Sequence, residues 1–101
     1  MYQIHFEKPV KVHFIGIGGI SMSGLAEILL EEGFCISGSD RMETELTRRL
    51  LEKGAAVFIG QRASNVPEDV DVAVYTAAVH PDNAEYAECV RRNIPMLTRA
   101  Q

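Results

Sequence analysis

The sequence predicts an α/β fold with three layers, in which a five-stranded parallel sheet of order 3-2-1-4-5 lies between helices. Three observations lead there. Along the 101 residues, five short apolar runs alternate with helix-patterned or loop stretches. The first four runs are near-continuously apolar, as parallel strands covered on both faces are. A glycine loop, Gly16 to Gly19, joins the first run directly to the first helical stretch. The resulting pattern is βαβαβ-β-αβ, and right-handed crossovers turn it into that strand order.

Each element has its own justification. Tyr2, Ile4 and Phe6 alternate with polar residues, so the N-terminus is expected as an extra extended segment along the core. Lys11–Ile15 reads as the first strand. A helix follows at about Ser21–Glu32, with Met22, Leu25, Ala26, Ile28 and Leu29 as its apolar face. Gly33 suits a left-handed C-cap. Phe34–Ser39 is the second strand. The helix at Glu43–Lys53 starts acidic and ends basic, in line with its dipole, and Glu45 can pair with Arg49. Gly54 ends it, and Ala55–Ile59 is the third strand. Gly60 to Asp71 is too broken by Asn65, Pro67 and Asp69 for a full helix. Val72–Thr76 is the fourth strand. Asp82-x-x-Glu85 resembles a capping box opening a helix at Asn83–Arg92, and Asn93 can cap its end. Pro95–Thr98 is the fifth strand.

Composition narrows the function. The formal charge is −4, from 10 basic and 14 acidic residues, and the seven arginines are scattered rather than clustered. A nucleic-acid surface needs a basic stripe, so nucleic acid is not expected as a partner. Cys35 and Cys89 have no metal-type spacing and read as buried thiols. Charges in Met1–Pro9 interrupt any secretory h-region, and no run approaches the roughly 20 apolar residues of a membrane span. The chain reads as a cytoplasmic protein with no membrane partner.

The chemistry points to binding. Strand, glycine loop and helix in succession present unpaired N–H groups and the positive helix end to an anion, with glycines allowing close approach. Gly16-x-Gly18-x-x-Ser21 meets two positions of the GxGxxG pattern and places a hydroxyl at the third. Asp40 lies at the end of the second strand, where an acid accepts ribose hydroxyls in Rossmann-like folds. Ligands of open parallel sheets gather at the carboxyl ends of the strands. Three segments therefore converge: the loop with Gly18, Gly19, Ile20, Ser21 and Met22; Ser39 with Asp40; and Thr76, Ala77, Ala78, Val79 and His80. His13, inside the first strand, reads as a satisfied core histidine, and His5 as a surface one. No phosphate-loop Gly-Lys pair, nucleophile elbow, zinc pattern or carboxylate pair is found, so no catalytic residue and no metal ligand is assigned.

These residues resemble a known family. The run His13-Phe14-Ile15-Gly16-Ile17-Gly18-Gly19-Ile20-Ser21-Met22-Ser23-Gly24-Leu25-Ala26-Glu27 is similar to the opening of the Mur ligases of peptidoglycan synthesis. Ser37-Gly38-Ser39-Asp40, Gly54-Ala55 leading to Gly60, Tyr75 through Asn83, and Ile94-Pro95 leading to Arg99-Ala100 fit the same family. The resemblance implies one N-terminal UDP-sugar-binding domain over residues 1–101, with 98–101 starting a linker to an ATP-binding central domain. It implies binding of the UDP part of UDP-N-acetylmuramate for ATP-dependent ligation of L-alanine, with this portion inactive alone. Gly18 to Met22 would face the diphosphate, and Ser39, Asp40 and the Thr76–His80 turn would lie near uridine. ATP and magnesium would act elsewhere, with central and C-terminal domains as partners in cis. Two positions depart from many relatives: Ser21 where they have glycine, and Gln61 where they have histidine. Two rival readings of the same residues are the NAD(P)-binding domain of an oxidoreductase and a small nucleotide-sensing regulatory module.

Overall fold

A computed structural model describes residues 10–76 and 78–98 of the chain. Tyr2, Ile4, His5, Phe6, Ala77 and the linker positions 99–101 lie outside the described residues. The elements run β1 (Lys11–Ile15), α1 (Ile20–Glu31), β2 (Cys35–Asp40), α2 (Glu45–Glu52), β3 (Ala56–Ile59), the short 3-10 turn η1 (Ala63–Asn65), β4 (Val72–Tyr75), α3 (Ala84–Arg91) and β5 (Met96–Thr98). The sheet order is β3-β2-β1-β4-β5 and every pairing is parallel, as the sequence pattern predicts.

Alternation along the central strands makes the three layers. Val12 and Phe14 of β1 and Val72 and Val74 of β4 pack with Met22, Ala26 and Leu29 of α1 and Leu50 of α2. The intervening residues Ile15 and Ala73 point to the other face, against Cys89 of α3 and Val66 beyond η1. On that face Tyr75 and Tyr86 meet edge to face, with centroids 5.1 Å apart. One strand sits differently from its reading. β3 is an edge strand, and Phe58 and Ile59 are 39% and 50% exposed, so its apolar run is not covered on both faces.

The helices close by the expected devices at slightly different residues. Gly33, Gly54 and Asn93 all take positive φ just past helix ends. α2 is opened by Thr44, whose hydroxyl accepts from the Thr47 amide while the Thr47 hydroxyl accepts from the Thr44 amide. The Asp82 capping box is corrected: Asn83 caps α3, its Oδ1 accepting from the Glu85 and Tyr86 amides. The Glu85 side chain is turned into the protein instead of back towards the cap.

Three further residues sit otherwise than their sequence positions predict. Arg49 forms an ion pair with Glu27 of α1, Nε to Oε2 at 2.8 Å, rather than with Glu45, tying α2 to α1. Ile28 is 53% exposed, because the buried stripe of α1 is Met22, Ser23, Ala26 and Leu29. Cys35 is exposed at the start of β2, paired in register with Lys11 at the sheet border, whereas Cys89 is buried. Burial pushes the Cys89 thiol up to about 11, so it stays protonated at neutral pH. Among the described residues, no helix is long and apolar enough to cross a membrane.

Candidate nucleotide site

The turn from β1 into α1 is shaped by backbone bonds to β2. The amides of Gly16 and Ile17 both donate to the Ser39 carbonyl at 2.8 Å, so the loop folds over the tip of β2. This close approach explains Gly38. A Cβ there would lie 2.6 Å from Ile17 Cδ1 and 2.9 Å from the Phe14 carbonyl oxygen. Gly16 turns the chain with φ +89°, a conformation that residues with a Cβ rarely adopt.

The start of α1 is bare. Gly19 is its N-cap, no side chain caps it, and its first turn carries no acid. The Ser23 amide donates to the Gly19 carbonyl, which leaves the amides of Ile20, Ser21 and Met22 without an acceptor among the described residues. The Ser21 hydroxyl oxygen is buried and also has no hydrogen-bond partner among the described residues. Free amides are general at a helix start, but a buried side-chain hydroxyl is normally satisfied, so Ser21 is the unusual member of this group. It opens into a cleft of about 430 Å³ lined by Gly16, Gly19, Ile20, Ser21, Met22 and Thr76.

A second cleft of about 470 Å³ adjoins it, with Gly16 and Thr76 in both walls. Its lining includes Asp40, Arg41, Gln61, His80 and Asn83, together with Ala78 and Val79. The strand ends, the glycine loop and the turn after β4 are thus brought together at the carboxyl rim of the sheet.

Two expected residues sit otherwise. Gly18 lines neither cleft: its amide donates to Asp40 Oδ2 at 2.8 Å, and a Cβ on it would meet that same oxygen at 2.7 Å. Ser39 is fully buried and supports the site from below, its carbonyl holding the loop and its hydroxyl donating to Glu85 Oε1 at 2.7 Å. Asp40 does reach the rim, with Oδ1 accepting from the Arg41 amide.

Glu85 is the residue that sequence reasoning missed. It is fully buried, and its Oε1 accepts from His13 Nε2 and Ser39 Oγ, each at 2.7 Å. Its Oε2 accepts from the Arg62 amide at 3.0 Å and from Asn65 Nδ2 at 2.8 Å. Burial alone raises a carboxyl, but the bonds from His13, Asn65 and Ser39 prevail and hold it below the usual glutamate value. An ionised carboxylate obliges His13 Nε2 to carry the proton, while Nδ1 meets the Ser37 hydroxyl at 2.8 Å. The signal lay in β1: a histidine buried in a strand requires a polar partner.

Among the described residues no group of three potential ligands is placed to hold a metal ion. The profile of the Mur ligase family, catalytic domain, matches residues 11–101. The chain belongs to the Mur ligase family. This Mur ligase chain is 59% identical over its whole length to a UDP-N-acetylmuramate–L-alanine ligase from Agathobacter rectalis, of which it covers 22%. The structure of the UDP-N-acetylmuramate–alanine ligase of Thermotoga maritima superposes with a TM-score of 0.85 at 36% identity, over 89% of this chain and 21% of that one. A second Mur ligase structure, the UDP-N-acetylmuramate:L-alanyl-gamma-D-glutamyl-meso-diaminopimelate ligase from Neisseria meningitides, gives 0.79 at 30% identity. That match covers 90% of this chain and 29% of that one. The chain spans about a fifth of the length of the curated relatives it matches.

Proposed function

We propose that this chain binds the UDP part of UDP-N-acetylmuramate and positions it for ATP-dependent ligation of L-alanine in peptidoglycan synthesis. The observation that carries the reading is the bare N-terminus of α1, where three amides and the Ser21 hydroxyl have no partner among the described residues beside a cleft that Ser21 lines. Identity of 59% to a ligase named for that substrate supports the choice of nucleotide.

The diphosphate would accept from the amides of Ile20, Ser21 and Met22 and from the Ser21 hydroxyl. The α1 dipole would contribute up to about 2 kcal/mol when the anion is partly buried. Uridine would occupy the adjoining cleft between Asp40 and the turn of Thr76, Ala78, Val79 and His80. Ala77, in that turn, lies outside the described residues. In this reading ATP and magnesium act on other domains of the ligase. The chain's own contribution is orientation, since a sugar nucleotide held in place converts an encounter into a near-intramolecular reaction.

Thermal unfolding with UDP-N-acetylmuramate, UDP, NAD and NADP tests the choice of ligand. A ligand at 100 times its Kd adds about 2.7 kcal/mol of stability. Stabilisation by NAD with none from the UDP compounds would overturn the reading in favour of a dinucleotide domain. Ser21→Asp tests the location. Its carboxylate suits the helix dipole, so the fold holds, but it occupies the diphosphate position. Calorimetric binding of UDP-N-acetylmuramate is expected to be lost, and undiminished affinity would move the site away from this loop.

A further inference from the structure

Resting on the uridine reading above, we propose that Gln61 selects the base, its side-chain NH2 donating to the 4-carbonyl of uracil and rejecting the 4-amino group of cytosine. The argument is a chain of fixed amide orientations. Asn83 Oδ1 accepts from two backbone amides, those of Glu85 and Tyr86, at 2.9 and 3.2 Å. A carboxamide whose oxygen is so committed must turn its nitrogen outward, and Asn83 Nδ2 donates to Gln61 Oε1 at 2.7 Å. That bond fixes which end of the Gln61 carboxamide is the oxygen, and so leaves its NH2 as the free donor beside the cleft that both residues line. Its Nε2 has no partner among the described residues.

The segment that carries Gln61 is held from the other side. The Glu85 carboxylate binds the Arg62 amide and Asn65 Nδ2, and Asn65 Nδ2 also donates to the Gly60 carbonyl. Gln61 is therefore half-buried and clamped at both flanks, which preserves the direction of its donors. The other polar side chains of this cleft lack that combination. Asp40 and Asp82 are acceptors, the Thr76 hydroxyl can donate or accept and so does not discriminate, and Arg41 and His80 are exposed side chains with no fixed partner among the described residues. A neutral, oriented donor distinguishes a carbonyl from an amino group, because the wrong base brings two donors face to face and leaves both unpaired.

Calorimetric titration of this chain with UDP, CDP and ADP reads the proposal. The wild type is expected to bind UDP at least about tenfold more tightly than CDP. Gln61→Glu keeps the shape and the bond from Asn83 but presents an acceptor to the cleft. Its added charge repels each diphosphate alike, so the UDP-to-CDP ratio is the readout, and it is expected to collapse or invert. Gln61→Met, neutral and without a donor, should bring the ratio close to one and gives the answer if the acidic variant does not fold. A wild-type preference for UDP that survives both changes overturns the role of Gln61 and leaves the UDP reading standing. Equal wild-type affinity for UDP and CDP also overturns it. Failure of the wild type to bind any UDP compound removes the functional reading and this inference with it.

Discussion

Glu85 holds more of the site together than any residue that touches the clefts. Its two oxygens accept four hydrogen bonds, from β1, β2 and the segment after β3, so one carboxylate fastens the sheet to the wall that carries Gln61. Glu85→Gln replaces one acceptor oxygen by a donor and sets it against groups that themselves donate. Loss of a buried charge partner costs about 3–5 kcal/mol, a large share of the stability of a small domain. The pH dependence follows from the sign of the shift. The folded carboxyl is held below its ordinary 4.5, so its contribution is complete above that value and is lost as acid protonates the folded carboxylate. In denaturant titrations from pH 7 to about 3, the wild type should lose stability more steeply than Glu85→Gln on the acid side. Parallel acid limbs would mean that the fold does not lower the carboxyl's pKa, and a shallower wild-type limb would mean that it raises it. At this scale the sequence was half legible. His13 is recognisable as a satisfied core histidine, but Glu85 looks like half of a capping box. The same helix-start position serves either use, and only the fold decides whether the side chain turns back or inward.

The elements were more legible than their ends. All five strands and three helices fall where apolar runs and turn residues place them, because periodicity and glycine punctuation are local signals. Ends depend on which of several adjacent polar residues caps. Thr44 prevails over an acidic start at Glu43, and Asn83 over Asp82, since these side chains reach the free amides. Glycines illustrate the same division. Gly38 has no room for a Cβ, for a reason visible only once the loop after β1 folds over it. Gly24 is the opposite case. It lies in the interior of α1, is exposed, and a Cβ there meets nothing within 4 Å. Gly24→Ala should therefore stabilise the chain by about 0.5–1 kcal/mol, through lower unfolded-state entropy and better helix propensity. Thermal unfolding should show a rise of a few degrees, and a fall would mean that the helix surface at Gly24 is covered by something outside the described residues.

At the scale of the whole molecule, strand order was readable because few right-handed, unknotted connections join five parallel strands in this sequence of elements. The rim where the first βα turn, the end of β2 and the turn after β4 meet follows from that order, which is why the candidate site was readable in outline. Charge at this scale makes a separate demand. The chain carries −4, and its proposed ligand is also anionic, so long-range forces oppose their encounter. In the proposed reading attraction comes from the amides of Ile20, Ser21 and Met22, acting at contact distance. Salt screens these two effects unequally. Raising ionic strength shortens the screening length from about 10 Å at 0.1 M towards about 3 Å at 1 M, which weakens the distant repulsion and hardly alters the contact bonds. Calorimetric affinity for UDP-N-acetylmuramate should thus stay within about twofold, or improve, between about 50 and 500 mM salt. A site held by clustered cations behaves in the opposite way, losing affinity steadily as salt rises. A loss of about tenfold over that range would assign the diphosphate to Arg41 and the mouth of the larger cleft, and would leave the bare end of α1 without its anion.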